Sequence, residues 1–157
     1  MTEQSDDIRR ALDIPAAIEE EGSWTQAYFR GLVRGALRGI FFRWRGRKTA
    51  LDRFRVSVPG TKKDGSPTKK DGIWYKCAEC GILGKAQVSK KNPKGHVRIF
   101  LDHLSPVVPL DRYPDWQEYI GNLFCNPENL QALCSVCHKN KSVSENAQRR
   151  ANLKSKL

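Results

Sequence analysis

Two Cys-x-x-Cys pairs, Cys77-Ala78-Glu79-Cys80 and Cys134-Ser135-Val136-Cys137, constrain this chain more than any other feature. Four thiolates in paired knuckles are the ligand set of one tetrahedral zinc ion, so the fold must bring the two pairs together. A chain of 157 residues buries only a modest core, and such an ion supplies much of its folding free energy. Cysteines this close in sequence make poor structural staples, and reduced thiols point to a cytoplasmic compartment. Cys125 lies outside both pairs and reads as a small buried side chain. Two other chemistries fit parts of the pattern. Cys134 to His138 matches the haem-attachment spacing, but that chemistry wants an exported protein, and the only methionine is Met1. Dithiol redox chemistry leaves the second pair unexplained.

The formal charge is +11, which four thiolates and one Zn²⁺ would lower to about +9. Its distribution is uneven. Residues 1–22 hold seven acids against two arginines, a net of −5, whereas residues 23–72 hold thirteen bases against three acids, a net of +10. A basic stretch of this kind attracts polyanions, and nucleic acid is the commonest of them; an anionic membrane surface is the competing reading. No run of about 18 apolar residues is present, so no membrane span is expected, and the acidic N-terminus lacks the apolar core of a secretory signal.

Four segments follow from composition and periodicity. Residues 1–22 read as an acidic, flexible lead-in. Residues 23–58 read as a basic amphipathic helical arm: Ser23 with Gln26 makes a capping-box pattern, and Phe29, Leu32, Val33, Ala36, Leu37, Ile40, Phe41 and Trp44 recur at helical spacing over about twenty residues. Arg30, Arg34 and Arg38 form a row on another face, and Arg43, Arg45, Arg47 and Lys48 continue the charge beyond the helix with aromatic residues interleaved. These seven, with Lys141, are the candidate nucleic-acid contacts. Gly31, Gly35 and Gly39 make a narrow strip that is either a close-approach surface or low-propensity filler. Residues 59–72, with Thr-Lys-Lys-Asp-Gly occurring twice, are a lysine- and glycine-rich linker or loop.

Residues 73–157 carry the chemistry. Strands are expected at Ile73–Lys76, Ile82–Ser89 and Val97–Asp102, with a turn at Asn92–Gly95. A short helix is expected from Pro114 to Phe124, with Trp116, Tyr119, Ile120 and Leu123 on one side, and a last helix from near Ser135 with a break around Ser142–Ser144. Phosphodiester hydrolysis needs a base for water and a Lewis acid at the phosphate. Asp102 and His103 close a strand and point to opposite sides of it, which separates a metal ligand from a base. His138 opens the last helix and pairs with Asp102 as a carboxylate-plus-imidazole set for a divalent ion.

These residues together resemble the HNH endonuclease family, in its zinc-supported branch. The resemblance rests on Cys77–Cys80, on Leu101-Asp102-His103-Leu104-Ser105-Pro106, and on the run from Glu128 to Lys141 with Asn129, Cys134, Cys137 and His138. It covers about residues 73–145, and the Trp116–Leu123 segment is similar to phage-borne members. It implies an α+β fold: a small ββα-metal nuclease core stapled by a four-cysteine zinc site, here with an N-terminal basic helical extension. It implies His103 as general base, Asp102 and His138 as ligands of a catalytic Mg²⁺ or Mn²⁺, and cleavage of DNA to 5′-phosphate ends. Asn129, by the same resemblance, bonds the backbone after His103 and orients the imidazole, and Lys141 reaches the phosphate or product. The 25 residues between His103 and Asn129 exceed the spacing of compact members. His96 matches no family position and reads as a turn or strand-edge residue.

The alternative is a zinc-knuckle DNA-binding or genome-packaging accessory protein that does not cut; RNA as the substrate stays open. A homodimer, or a partner in phage packaging or replication, is compatible with the basic helix.

Overall fold

The computed structural model describes residues 25–62, 64–87 and 95–155. The acidic lead-in, Ser23, and Asn92 to Lys94 of the expected turn lie outside them. The described chain is mixed α+β. It runs α1 (Gln26–Phe41), α2 (Arg45–Asp52), β1 (Arg55–Val58), β2 (Gly72–Lys76), β3 (Leu83–Gly84), β4 (Ile99–His103), α3 (Trp116–Leu123), a 3-10 turn (Pro127–Asn129), β5 (Leu130–Cys134) and α4 (Ser135–Lys154). The first three strands form one antiparallel sheet, and β4 and β5 form a second. No helix among the described residues is long and apolar enough to cross a membrane.

The N-terminal basic stretch folds differently from its sequence pattern. Thr25 is the N-cap, its hydroxyl accepting from Tyr28 N at 3.2 Å, so Gln26 opens the helix rather than closing a capping box. One long helix is replaced by two. The chain turns at Phe42–Trp44 and restarts as α2, and Arg47 donates to the freed Phe42 carbonyl at 3.4 Å. The inward side of α1 is also rotated from the expected apolar face. Phe41 is buried with Leu37 packed beside it, whereas Leu32 and Ile40 are exposed. Arg34 takes an inward place by lying over the rings of Trp116 and Tyr119, 5.9 and 5.7 Å from their centroids, which lets a guanidinium substitute for an apolar contact.

Arg55–Val58 is a strand that the charge run obscured, although Val56 and Val58 alternate with Arg55 and Ser57. It pairs with β2 in the register Val58↔Gly72, which makes the repeat segment the loop of a hairpin. Within that loop Gly65 sits at φ +84°, and the Asp64 carboxylate accepts from Ser66 N at 2.9 Å. Of the expected Ile82–Ser89 strand, the described part forms strand only at Leu83–Gly84, continued by a bridge from Lys85 to Arg98, and Val88 and Ser89 lie outside the described residues. Gly84 is buried hard against the Val97 carbonyl and the Ile99 side chain, where a Cβ does not fit.

Two further corrections concern helices. α3 begins after Asp115, whose carboxylate accepts from Glu118 N at 2.8 Å, so Pro114 precedes the cap instead of opening the helix; Ile120 faces solvent. α4 runs unbroken through Ser142–Ser144. The Ser142 hydroxyl turns back to the His138 carbonyl at 2.9 Å and is thereby satisfied within the helix.

The core has two buried clusters. Phe41, Ala50, Tyr119, Leu123 and Leu130 form one, joining both N-terminal helices to α3 and β5. Cys77, Ile99, Ala132, Leu133 and Cys134 form the other. Cys125 packs against the first. Arg53, just past α2, donates to the carbonyls of Pro127 and Leu130 at 2.9 and 2.7 Å and ties that helix to the start of β5.

Candidate functional site

The four cysteines come together. The Sγ atoms of Cys77, Cys80, Cys134 and Cys137 all lie within 4.8 Å of one another, and this cluster can hold a metal ion such as zinc. The Cys80 and Cys134 sulfurs are 3.8 Å apart, the separation set by a tetrahedral ion with bonds of about 2.3 Å. Each knuckle is built by the backbone. Gly81, at φ +76°, donates from its N–H to the Cys77 carbonyl at 3.0 Å, a left-handed turn that suits glycine. Cys134 N approaches Cys77 Sγ at 3.3 Å and Cys137 N approaches Cys134 Sγ at 3.5 Å.

The electrostatics suit a cation. Burial raises the Cys77 thiol pKa, but backbone N–H groups from Cys80, Cys134 and Glu79 outweigh it and bring the value down to about 7. Cys137 is pushed up to about 12, first by its hydrogen bond to Cys134 and then by burial. The Cys77 thiolate forms readily, whereas Cys80 and Cys137 resist ionisation, which a divalent ion relieves. The first knuckle is latched to the sheet by Ala78 N donating to the Ala132 carbonyl at 2.7 Å.

The second constellation lies at the other end of the same ladder. β4 and β5 pair from Ile99↔Cys134 to His103↔Leu130, with Asp102 opposite Gln131. Asp102 faces the side on which α4 begins, and His138 Nε2 lies 3.8 Å from its Oδ1. His103 faces inward and is only 8% exposed. Its Nε2 is 3.0 Å from the Leu123 carbonyl, which can only accept, so Nε2 carries the proton and Nδ1 keeps its lone pair. Burial holds the imidazole below its ordinary pKa against the opposing pull of the Leu123 carbonyl and Asp102, favouring the neutral ring.

Both imidazoles are stacked on phenylalanines. Phe41 lies 5.1 Å from His103 at 29°, and Phe100 lies 5.1 Å from His138 at 21°. Asn129 sits beyond them. Its Oδ1 accepts from Ser105 N at 3.1 Å and its carbonyl accepts from Leu104 N at 2.8 Å, so both ends of the residue hold the two residues after His103.

A cleft of about 530 Å³ opens onto Asp102, His103 and His138 and is also lined by Arg38, Lys141, Glu145 and Arg149. Of the eight basic residues marked in the sequence, Arg38 and Lys141 line it. Lys141 Nζ is 3.0 Å from Asp102 Oδ2; burial pulls its pKa down, but hydrogen bonds to Glu145 and Asp102 raise it further. Arg34 and Arg47 lie over aromatic rings, Arg47 at 5.2 Å from Phe41 and 4.7 Å from Phe42. Arg30, Arg43, Arg45 and Lys48 are exposed outside the cleft. His96 sits edge-on to Trp74 at 4.9 Å.

Glu145, Arg149, Phe41 and Phe100 are cleft or stacking residues that motif spacing passed over. Glu145 was findable: it follows Lys141 by four and His138 by seven, and so shares their face of α4. The phenylalanine stacks depend on tertiary packing. Comparison of the chain with protein-family models, with curated proteins and with solved structures returns no match.

Proposed function

We propose that this chain is a metal-dependent DNA endonuclease of the HNH type, with the β4–β5 pair and α4 as its ββα-metal core. The observation that carries the reading is the division of labour between adjacent residues. Asp102 meets His138 on one side of β4, while His103 stands on the other, neutral, with a free Nδ1 and a bonded Nε2. Few structural roles call for that pairing beside a cleft lined by Arg38 and Lys141.

In the mechanism, His103 Nδ1 takes the proton of the attacking water. The Leu123 carbonyl stabilises the imidazolium that results, because it accepts from the opposite ring nitrogen. Asn129 keeps the backbone after His103 from shifting. Asp102 and His138 would hold Mg²⁺ or Mn²⁺, with Phe100 fixing the plane of the His138 ring. Bound there, a divalent ion supplies Lewis-acid stabilisation of charge on the phosphate and on the leaving 3′ oxygen. Arg38 draws the nucleic-acid backbone to the cleft. The four-cysteine cluster is a structural zinc site in this reading, remote from the reaction.

Plasmid nicking tests it. Protein stripped of loosely held ions with EDTA and then given Mg²⁺ or Mn²⁺ nicks supercoiled DNA, and His103→Ala does not. Absence of nicking by folded, zinc-loaded protein with either ion sinks the nuclease assignment and favours a DNA-binding accessory role. The same assay with an RNA substrate separates the sugars.

A further inference from the structure

The Asp102–His138 pair already has a cation beside it. Lys141 Nζ lies 3.0 Å from Asp102 Oδ2, while His138 Nε2 approaches Oδ1, so the ammonium and the imidazole take one carboxylate oxygen each. The same ammonium donates to the His103 carbonyl at 2.7 Å and to Glu145 Oε1 at 2.5 Å. Lys141 and Asp102 are each about one-fifth exposed, so water screens their attraction only in part.

We propose that Lys141 is a removable counter-cation of the Asp102–His138 site, drawn off Asp102 by a DNA phosphate, so that divalent-metal uptake is coupled to substrate binding. The inference rests on the nuclease reading and deepens it. Two carboxylates, Asp102 and Glu145, share a single ammonium on this wall of the cleft. A divalent ion approaching Asp102 competes with that ammonium for the negative charge of one carboxylate and is repelled by the ammonium's own charge. Lysine suits a part that must leave. Its ammonium is a point charge on a flexible four-carbon stem, without the fixed fork by which arginine grips a carboxylate.

A phosphate entering the cleft offers Lys141 an alternative anion, and the vacated oxygen of Asp102 then faces the incoming metal. Reciprocity follows from linkage: if DNA raises metal affinity by some factor, metal raises DNA affinity by the same factor. Free protein would then hold its catalytic ion weakly and fill the site on its substrate.

The test is Mn²⁺ binding to the full, zinc-loaded chain, followed by electron paramagnetic resonance of free Mn²⁺. Without DNA, Lys141→Met binds Mn²⁺ at least about tenfold more tightly than the wild type. In the cleavage-defective His103→Ala background, duplex DNA tightens Mn²⁺ binding when Lys141 is present and has little effect when it is methionine. Equal or weaker Mn²⁺ binding by folded Lys141→Met overturns the proposal. Should that variant lose its zinc or its circular dichroism, Lys141→Gln, which keeps a donor and removes the charge, must show the same tightening. Loss of the gain in Lys141→Met/Glu145→Gln also overturns it, because the freed Glu145 would then be acting as a ligand. Failure of the nuclease reading looks different: Mn²⁺ binds and DNA is not nicked.

Discussion

Leu123 ends α3 with its carbonyl oxygen 3.0 Å from His103 Nε2. A helix twenty residues downstream thus fixes which nitrogen of the imidazole carries the proton. The segment between His103 and Asn129 therefore serves the site directly: Leu123 sets the tautomer, and Tyr119 and Leu123 fill the cluster behind Phe41.

That environment gives a pH prediction. The His103 pKa is lowered in the fold, so between that lowered value and the ordinary value of about 6.5 the unfolded chain binds more protons than the folded one. Stability therefore rises with pH across this window and is lost as pH falls through it. His103→Gln flattens that part of the curve, as measured by denaturant melts from pH 5 to 7. On the nuclease reading, cleavage by the wild type keeps its rate down to a lower pH than a solvent-exposed histidine would allow.

Phe41 links the N-terminal helix to the same ring. Phe41→Ala costs about 3–5 kcal/mol by the cavity it leaves. Phe41→Leu keeps most of the buried volume and costs under about 1.5 kcal/mol, but loses the stack on His103. The pair is checked by thermal melts alongside nicking rates: the leucine variant stays folded and cuts more slowly.

Asn129→Ala removes the acceptor for Ser105 N. The expected loss is about 1 kcal/mol of stability, with a fall of about 10- to 100-fold in cleavage and unchanged Mn²⁺ affinity. A variant that loses Mn²⁺ affinity instead would mean that Asn129 acts at the metal.

The cysteines separate by role. If the four-cysteine cluster holds zinc as proposed, elemental analysis finds one ion per chain, and Cys134→Ser lowers that content and unfolds the protein, as does strong chelation. Cys125→Ser leaves zinc content unchanged, since Cys125 lies outside the four-sulfur cluster.

The basic residues divide in the same way. On the nuclease reading, replacing Arg43, Arg45 or Lys48 by alanine weakens DNA binding and reduces the salt slope of log affinity by about one each, with little effect on the melting temperature. Arg34→Ala does the reverse, because its guanidinium lies over Trp116 and Tyr119.

Short-range signals in the sequence carried the parts of this architecture that depend on short-range physics. Two Cys-x-x-Cys pairs in one chain point to one shared ion, and the alternation from Val97 to Asp102 foretold β4 to within about two residues. The rest hinged on contacts between distant segments. A row of arginines looks the same on paper whether it meets water or, as at Arg34 and Arg47, an aromatic face. Charge hid the strand at Arg55–Val58 and the helix at Arg45–Asp52. Two serines, Ser142 and Ser144, suggested a break in α4, and with it the far wall of the cleft at Glu145 and Arg149 disappeared from view. Ser142 satisfies its hydroxyl inside the helix, so the wall stands.

The β4–β5 ladder begins at Cys134 and ends at His103, five pairs in all. Slippage by one residue would turn Asp102 inward and His103 outward, since strand neighbours face opposite ways. On the nuclease reading, the cysteine-held ion that pins one end of this ladder decides between an armed and a harmless chain rather than between a fast and a slow one. A newly made polypeptide without zinc would then pose no threat to the DNA around it.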